Sequence, residues 1–304
     1  MAVTLRQLEY FVAVVDTGSF TAAAAELHVS QPGLSHQIQA LERELGGPLL
    51  ERLPRDIRLT PAGRTALPHA RASLAHAERT ASAAKRASGV DAGELHVGTL
   101  YSISVGVLPK ALHHWRASYP DVQVRLVEFR RTEDLIAAME AGQADVAVGP
   151  TPPNWSGPVE VIGVEEFVIA APADSDLGQT GGAVRLADLA GRQWVHFTPP
   201  SGLCDILDAA CGAAGFEPLP AIRTEQAPSA LSLAQEGLGL TLVPGNVVPP
   251  GFAGKLLWPE PPVSRELSVY TRVRPDPITA AFVAAVTGNM LATPSYLRGV
   301  DTGE

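Results

Sequence analysis

Residues 19–45 read SFTAAAAELHVSQPGLSHQIQALEREL, and this stretch decides how the N-terminal part of the chain folds. Ala22–Leu27 is rich in helix formers, and Ser30 is a good N-cap because its hydroxyl can accept a hydrogen bond from a first-turn N–H. Pro32 falls in the first turn of a second helix, which is predicted to run to Leu45. The stretch therefore predicts two helices joined by a tight corner, the arrangement of a helix-turn-helix.

The second helix has two chemically different faces. At 100° per residue its apolar stripe consists of Leu34, Ile38, Leu41 and Leu45. Glutamine pairs bidentately with adenine, and serine or histidine bonds to base edges or phosphates, so the polar face suits a DNA groove. The candidate groove-facing residues are Ser30, Gln31, Pro32, Ser35, His36 and Gln39. The alternative is a plain helical hairpin whose polar face is only solvated.

The flanking segments favour the DNA-binding interpretation. An amphipathic helix precedes the pair and carries the apolar residues Leu5, Leu8, Phe11, Val12 and Val15. Residues 49–60 then read as two short strands, with a basic wing at the turn over 54–56, and a helix restarts at 60–63.

In these residues the sequence resembles the LysR-type transcriptional regulators. The matching segments between residues 5 and 63 include LRQL at 5–8, GSFT at 18–21, LHVSQP at 27–32, LLER at 49–52 and LTPAG at 59–63. The resemblance implies a winged helix-turn-helix dimer that places Gln31, Pro32, Ser35 and His36 at the major groove and Arg55 at the backbone or minor groove. Many members carry arginine where His36 stands. A histidine is at best partly charged at neutral pH, so weaker or different base readout is expected there.

The basic footprint of this region is faint. Residues 1–64 hold six arginines, no lysine and seven acidic residues, and the whole chain has a net charge of −9. Four arginines gather at the wing and the following helix: Arg52, Arg55, Arg58 and Arg64. Arg52 and Arg55 are the candidates for DNA contact among them. Few phosphate contacts predict a shallow salt dependence of binding.

Residues 64–88 are rich in alanine and predict one helix of about 37 Å at 1.5 Å per residue. Pro68 predicts a kink or a position close to the helix start. The resemblance implies a dimerising linker helix, and a solvated spacer is the alternative. The predicted domains are a winged helix-turn-helix over 1–63, a linker helix over 64–89 and an effector-binding domain over 90–304.

From Glu94 onward strands and helices alternate, which predicts a parallel or mixed sheet covered on both faces. Strands are predicted at 95–100, 122–129, 145–148, 167–171, 194–197, 221–224, 240–243 and 267–271, and helices at 105–118, 132–141, 203–214, 228–236 and 277–290. Breaks at 149–158 and 258–263 divide this α/β region into lobe I (about 90–160 and 267–304) and lobe II (about 161–266). The segments GELHVG at 93–98 and EGLGL at 236–240 continue the resemblance, which implies a periplasmic-binding-protein-like effector domain.

The resemblance also implies an interlobe cleft lined by three loops, 99–103, 198–202 and 225–227. Each loop lies at a strand end near a helix N-terminus, where free N–H groups favour an anion. The candidate effector-binding residues are Thr99, Tyr101, Ser102, Ile103, Phe129, Arg130, Thr198, Ser201 and Gln226. Arg130 or Arg131 is a candidate clamp for a carboxylate. The alternative for both is a solvated surface position.

Cys204 and Cys211 lie seven residues apart on a predicted helix, so their Cα atoms are about 10 Å apart and beyond disulfide reach. They are interpreted as buried structural thiols rather than a redox switch. The chain has no recognisable catalytic motif or metal-ligand spacing, so no catalytic residue, metal or cofactor is expected. The absence of a signal peptide or an 18-residue apolar run, together with two cysteines, favours the cytoplasm.

These features predict a ligand-responsive regulator that binds double-stranded promoter DNA and is not an enzyme. The expected partners are a small-molecule effector, with a carboxylate as candidate, and further copies of the chain in a dimer or a dimer of dimers. RNA polymerase is a partner if the protein is an activator. The alternative is a two-lobed binding protein or an enzyme whose N-terminal helical domain only oligomerises.

Overall fold

The computed structural model describes residues 3–53, 56–87 and 93–288. The chain divides into two compact units, Met1–Lys85 and Arg86–Glu304. Among the described residues no helix is both long and apolar enough to cross a membrane.

The N-terminal unit is a winged helix-turn-helix followed by a long helix. Its elements are α1 (Leu5–Thr17), α2 (Phe20–Glu26), α3 (Gln31–Glu44), β1 (Leu50–Leu53), β2 (Asp56–Leu59) and α4 (Pro61–Ala87). β1 and β2 pair antiparallel, as the sequence predicted. α4 contains Pro68 in its interior and spans about 40 Å at 1.5 Å per residue.

The corner between α2 and α3 forms for the reasons that the sequence indicates. The Ser30 hydroxyl accepts a hydrogen bond from the Gly33 N–H at 3.3 Å, which caps α3. His28 has a φ of 54°, in the left-handed region, and turns the chain between the helices. α3 ends at Glu44, one residue before the predicted end, and Gly46 follows with a φ of 80°.

The core of this unit lies between α1 and α3. Phe11, Val14, Leu34, Ile38 and Leu41 are all completely buried. The predicted membership of Leu45 in this stripe is wrong, because it follows the last helical residue and is 45% exposed.

The buried face of α1 also differs from the prediction. Tyr10, Phe11 and Val14 point into the core, whereas Leu5 is 48% exposed. Leu8, Val12 and Val15 are only partly buried at the edge of the core. The buried face also includes Gln7, whose side-chain amide donates to Gln37 on α3 at 3.4 Å.

Two polar side chains join α3, the hairpin and α4. One carboxylate oxygen of Glu42 accepts hydrogen bonds from the backbone N–H groups of Leu49 and Leu50 at 2.9 and 3.2 Å. The buried Thr60 hydroxyl donates to the Pro48 carbonyl at 2.7 Å and accepts from the Gly63 N–H at 2.9 Å. The start of α4 is therefore held tightly against the chain that precedes β1.

The C-terminal unit is a two-lobed α/β domain. Its elements are β3 (Gly93–Leu100), α5 (Tyr101–Gly106), α6 (Leu108–Ser118), β4 (Val122–Phe129), α7 (Thr132–Glu140), β5 (Val146–Pro150), β6 (Val159–Ala171), β7 (Ala183–Arg185), β8 (Gln193–Phe197), α8 (Gly202–Ala213), β9 (Leu219–Thr224), α9 (Ala227–Gln235), β10 (Thr241–Pro244), β11 (Lys255–Glu260), β12 (Ser264–Tyr270) and α10 (Pro277–Gly288), with 3-10 turns at Leu186–Leu189 and Gly245–Val247.

A single long strand joins the two lobes. The main sheet has the order β4-β3-β5-β12-β6-β11-β7, and β10 also pairs with β6. The first part of β6, from Val159 to Glu166, pairs antiparallel with β12 in lobe I. Its last part, from Phe167 to Ala171, pairs antiparallel with β10 and β11 in lobe II. β8 and β9 form a separate parallel pair in lobe II.

Each lobe has its own hydrophobic core. The lobe I core includes Val97, Trp115, Leu135, Tyr270 and Phe282. The lobe II core includes Phe167, Trp194, Phe197, Leu207 and Leu231. The chain crosses between the cores along β6 and again where β11 leads into β12. The predicted two-lobed α/β fold is confirmed.

Several predicted boundaries are wrong. The helix predicted over 105–118 is two helices, α5 and α6, which begin at Tyr101 and Leu108 and meet at Val107. β7, β11 and the first half of β6 were not predicted as strands. β11 contains Pro259 at the Pro-rich stretch interpreted as a break, yet Pro259 pairs in register with Val184. The last helix ends at Gly288, and residues 289–290 of its predicted span lie outside the described residues.

We expect Gly63→Ala to destabilise the N-terminal unit by about 2–3 kcal/mol, since the new methyl cannot be accommodated without backbone movement. A Cβ at this position would lie 2.1 Å from the Leu49 carbonyl oxygen. Native-state hydrogen exchange of the α3 amides measures the effect. Gly47→Ala is the control, because a Cβ there meets no atom within 4 Å. Equal exchange rates in the two variants would contradict the prediction.

Candidate DNA-binding surface and effector cleft

The first two turns of α3 present a polar surface. Gln31, Pro32, His36 and Gln39 are exposed, Ser30 is exposed while serving as the cap, and Ser35 is half-buried. The opposite side of the helix supplies Leu34, Ile38 and Leu41 to the core. The helix is thus anchored on one face and free to approach a groove with the other.

The wing is only partly described. Arg55 lies outside the described residues, and so does the side chain of Arg52, although its backbone pairs in β1 with Ile57 of β2. Arg64 is exposed at the start of α4 and donates to the Leu59 carbonyl at 2.8 Å. This hydrogen bond fixes the guanidinium beside the hairpin.

A cleft lies between the lobes of the C-terminal unit, where β3 and β4 end and α8 begins. The cleft is narrow, with a cavity volume of about 20 Å³. Its lining residues are Leu100, Tyr101, Ser102, Phe129, Arg130, Ser201, Gly202, Leu203, Glu225 and Arg265. Of the predicted effector residues, the structure brings together Tyr101, Ser102, Phe129, Arg130 and Ser201 around this cleft.

Arg130 joins the two lobes across the cleft. Its guanidinium forms an ion pair with Glu225, which follows β9 in lobe II. Its backbone carbonyl accepts a hydrogen bond from the Gly202 N–H at 3.0 Å, at the start of α8. The hydrogen bond to Glu225 raises the pKa of Arg130 above its ordinary value. A carboxylate from lobe II therefore occupies the arginine that the sequence singled out as a carboxylate clamp.

The floor of the cleft contains a buried ion pair that the sequence did not predict. Arg265 Nε on β12 lies 2.5 Å from Glu165 Oε2 on β6, and the two side chains are only 11% and 1% exposed. Arg265 also donates to the Ser102 hydroxyl at 3.0 Å and lies 5.5 Å from the centre of the Phe167 ring. Asn246 donates to the other oxygen of Glu165 at 2.8 Å. The pair thus joins α5, β6, β12 and the turn Gly245–Val247.

Models of two protein families match the chain. The model described as the bacterial regulatory helix-turn-helix protein, lysR family, matches residues 5–64, and the LysR substrate binding domain matches residues 88–290. The chain is 35% identical to the HTH-type transcriptional regulator TcbR of Pseudomonas sp. (strain P51), over 91% of this chain and 92% of that protein. It is 33% identical to ClcR of Pseudomonas putida, over 84% and 85%.

The chain belongs to the LysR family of transcriptional regulators. It is similar to the crystal structure of the LysR-family regulator CbnR, with a TM-score of 0.74, 30% identity and coverage of 95% of this chain and 100% of that one. Full-length CbnR bound to its target DNA matches with a TM-score of 0.73 and 31% identity, over 94% of this chain and 100% of that one. This LysR-type protein is a DNA-binding transcriptional regulator with an effector-binding domain, and not an enzyme.

Four predicted effector residues of this LysR-type regulator do not line the cleft. Thr99 is completely buried, and its hydroxyl donates to the Val148 carbonyl at 2.9 Å. Ile103 is completely buried in the lobe I core. Thr198 is half-buried beyond the end of β8, and Gln226 is exposed at the N-cap of α9. The side chains of Thr99 and Ile103 face inward because β3 and α5 use them for packing.

The two cysteines of this LysR-type regulator are buried and are not joined in a disulfide. Burial raises the pKa of both thiols to about 11, and the nearby Asp208 carboxylate adds to the effect at each. Both groups are therefore neutral thiols at pH 7, which fits their interpretation as structural rather than redox-active residues.

Glu165→Ala should destabilise the C-terminal unit by about 3–5 kcal/mol, because it leaves the Arg265 charge buried without its partner. All four tryptophans lie in this unit, so urea unfolding followed by tryptophan fluorescence reports on it. Asp188→Ala is the control. It breaks an exposed pair with Arg185 and should cost less than about 1 kcal/mol. A similar loss in both variants would refute the assignment of a stabilising role to the buried pair.

Proposed function

We propose that α3 reads a promoter sequence in the major groove through Ser30, Gln31, Pro32, Ser35, His36 and Gln39, with Arg52 and Arg55 on the wing contacting the DNA backbone or minor groove. The observation that carries this proposal is the exposed polar face of α3 on a helix whose other face is locked into the core. The relative CbnR, which has the same fold, is a regulator that binds target DNA.

We infer a domain organisation in which residues 1–63 bind DNA, residues 64–89 link and dimerise, and residues 90–304 bind the effector. α4 is rich in alanine and carries few large apolar residues, so it gains burial by packing against a second copy. The protein then acts as a dimer or a dimer of dimers in the cytoplasm, and meets RNA polymerase where it activates transcription.

For the cleft we propose a small carboxylate as the effector. Arg130 already binds a carboxylate there, that of Glu225, and Tyr101 and Phe129 offer aromatic walls. An effector carboxylate that replaces Glu225 at Arg130 would exchange a contact between the lobes for a contact to the ligand. The ligand thereby shifts the balance between two arrangements of the lobes, which alters DNA affinity or bending.

Selection of bound sequences from random duplex DNA tests the DNA proposal. We expect enrichment of an inverted repeat whose half-sites lie one or more helical turns apart, because a symmetric dimer presents two copies of α3. Unspecific binding that disappears with added salt, without an enriched repeat, would contradict the proposal.

Gln31→Ala is expected to weaken binding to the selected operator by about 1–3 kcal/mol while leaving binding to unrelated duplex unchanged, since it removes a base contact and no charge. Competition binding at fixed salt concentration measures both affinities. Gln123→Ala is the control, because Gln123 is an exposed glutamine on β4 in the other unit. An equal loss on both duplexes would show that Gln31 does not read sequence.

Arg130→Ala should abolish the thermal stabilisation that a panel of small aromatic and aliphatic carboxylates gives the wild-type chain, because it removes the clamp. Arg125→Ala removes an exposed arginine from β4, the strand that leads into Arg130, and should leave the stabilisation intact. If no carboxylate stabilises the wild type, or if Arg130→Ala responds like the wild type, the effector proposal fails while the DNA proposal stands.

A further inference from the structure

Three side chains of metal-ligating type meet in lobe II, outside the lining of the cleft. His196 lies in β8, and Cys204 and Asp208 lie one turn apart on α8. The His196 Nε2 is 2.9 Å from Asp208 Oδ1, and the Cys204 Sγ is 3.4 Å from Asp208 Oδ2. One imidazole nitrogen, the sulfur and one carboxylate oxygen all lie within 4.8 Å of one another.

The three residues of this cluster differ in their exposure to solvent. His196 and Cys204 are 1% and 3% exposed, whereas the Asp208 side chain is 53% exposed. The nitrogen and sulfur donors are thus fixed in the interior, and the oxygen donor stands at the point of entry from solvent.

We propose that His196, Cys204 and Asp208 form a binding site for one thiophilic divalent cation of the zinc class. Imidazole nitrogen, thiolate sulfur and carboxylate oxygen are the donors that Zn²⁺ uses in proteins. Three protein ligands leave a fourth tetrahedral position for water or another small ligand. The mixture of sulfur and nitrogen donors selects against Mg²⁺ and Ca²⁺, which take oxygen ligands.

The protons can be accounted for. The Cys204 thiol loses its proton to solvent when its sulfur binds the cation. The cation takes the Nε2 of His196, and the imidazole proton then resides on Nδ1. In the structure Nδ1 accepts a hydrogen bond from the Phe197 N–H at 2.8 Å, and the Phe197 carbonyl lies 3.0 Å from it. Once Nδ1 carries the proton, the carbonyl becomes its partner, so cation binding exchanges one backbone group of Phe197 for the other. A backbone carbonyl behind a ligating histidine is the usual means of fixing its orientation.

Among the described residues, Arg223 is the one positively charged side chain in contact with these three ligands. Its Nη1 lies 3.1 Å from His196 Nδ1 and donates to the Phe197 carbonyl at 2.8 Å. With the cation bound, the thiolate and the carboxylate carry two negative charges against three positive ones, so the site stays within one unit of neutrality. Arg223 keeps its hydrogen bond to the carbonyl in either state.

A titration of the reduced, tag-free full-length chain with Co²⁺ tests the proposal. Thiolate coordination to Co²⁺ gives a sulfur-to-metal charge-transfer absorption in the near ultraviolet, and we expect this band to saturate at one Co²⁺ per chain. Excess Zn²⁺ should displace the Co²⁺ and remove the band. Zn²⁺ should also raise the melting temperature of the chain, because it binds only the folded arrangement.

Cys211→Ser is the matched control, because Cys211 is the other buried cysteine of α8 and lies outside the cluster. Cys204→Ser should lose the band, and Cys211→Ser should keep it. Asp208→Asn alters a half-exposed residue without threatening the core, and should weaken Co²⁺ binding by about tenfold or more.

The proposal is overturned if the wild type gives no thiolate band, if the band survives in Cys204→Ser, or if Asp208→Asn binds Co²⁺ as tightly as the wild type. Retained tryptophan fluorescence and urea midpoints confirm that each variant is folded. These outcomes do not depend on DNA or effector binding, so they test the cation site independently of the proposed function.

Discussion

The arrangement of the effector domain depends on the buried ion pair between Glu165 and Arg265. Glu165 lies where β6 passes from lobe I to lobe II, and Arg265 lies where β12 returns to lobe I. A charge in this position is tolerated only with a partner, since removing charged groups from water is costly. The two crossing strands are therefore fixed relative to each other, and Ser102 and Asn246 extend the same network into each lobe. The effector cleft opens directly above this network, and rearranging the network would cost the free energy of separating a buried ion pair.

In the N-terminal unit, polar side chains likewise fix the position of a helix, α3, whose outer face is exposed. Glu42 accepts two backbone N–H groups at the start of the hairpin, and Thr60 joins that hairpin to α4. Glu42 acts on backbone N–H groups that follow α3, and Thr60 acts on the Pro48 carbonyl and on the Gly63 N–H in the first turn of α4. Helix α3 is thus held at both ends, by the Ser30 cap and by Glu42. Rigid placement matters for the proposed DNA contacts, because base readout requires side chains to be held in register with the groove.

The sequence predicted the helix-turn-helix and the two-lobed fold because both rest on local signals: a cap, an apolar period and alternating elements. It did not predict the ion pair, since Glu165 and Arg265 are a hundred residues apart and meet only through strand pairing. The adjacent acidic residues Glu165 and Glu166, directly before the apolar stretch of β6, were a usable signal, because neighbouring strand residues face opposite sides. Thr99 was misplaced at the cleft because its hydroxyl is polar in sequence but is satisfied by a neighbouring strand.

Helix α8 connects the cleft with the cluster of His196, Cys204 and Asp208. Its first residues, with Ser201, line the cleft, and Cys204 follows within the same turn. No spacing rule for metal sites indicates this cluster, because its histidine comes from a strand and the other two residues from a helix. A cation would fix α8 against β8, whereas an effector at Arg130 would release Glu225 and change how lobe II is held. If both proposed ligands bind, each changes the free energy with which α8 is held, so each alters the affinity for the other by the same factor.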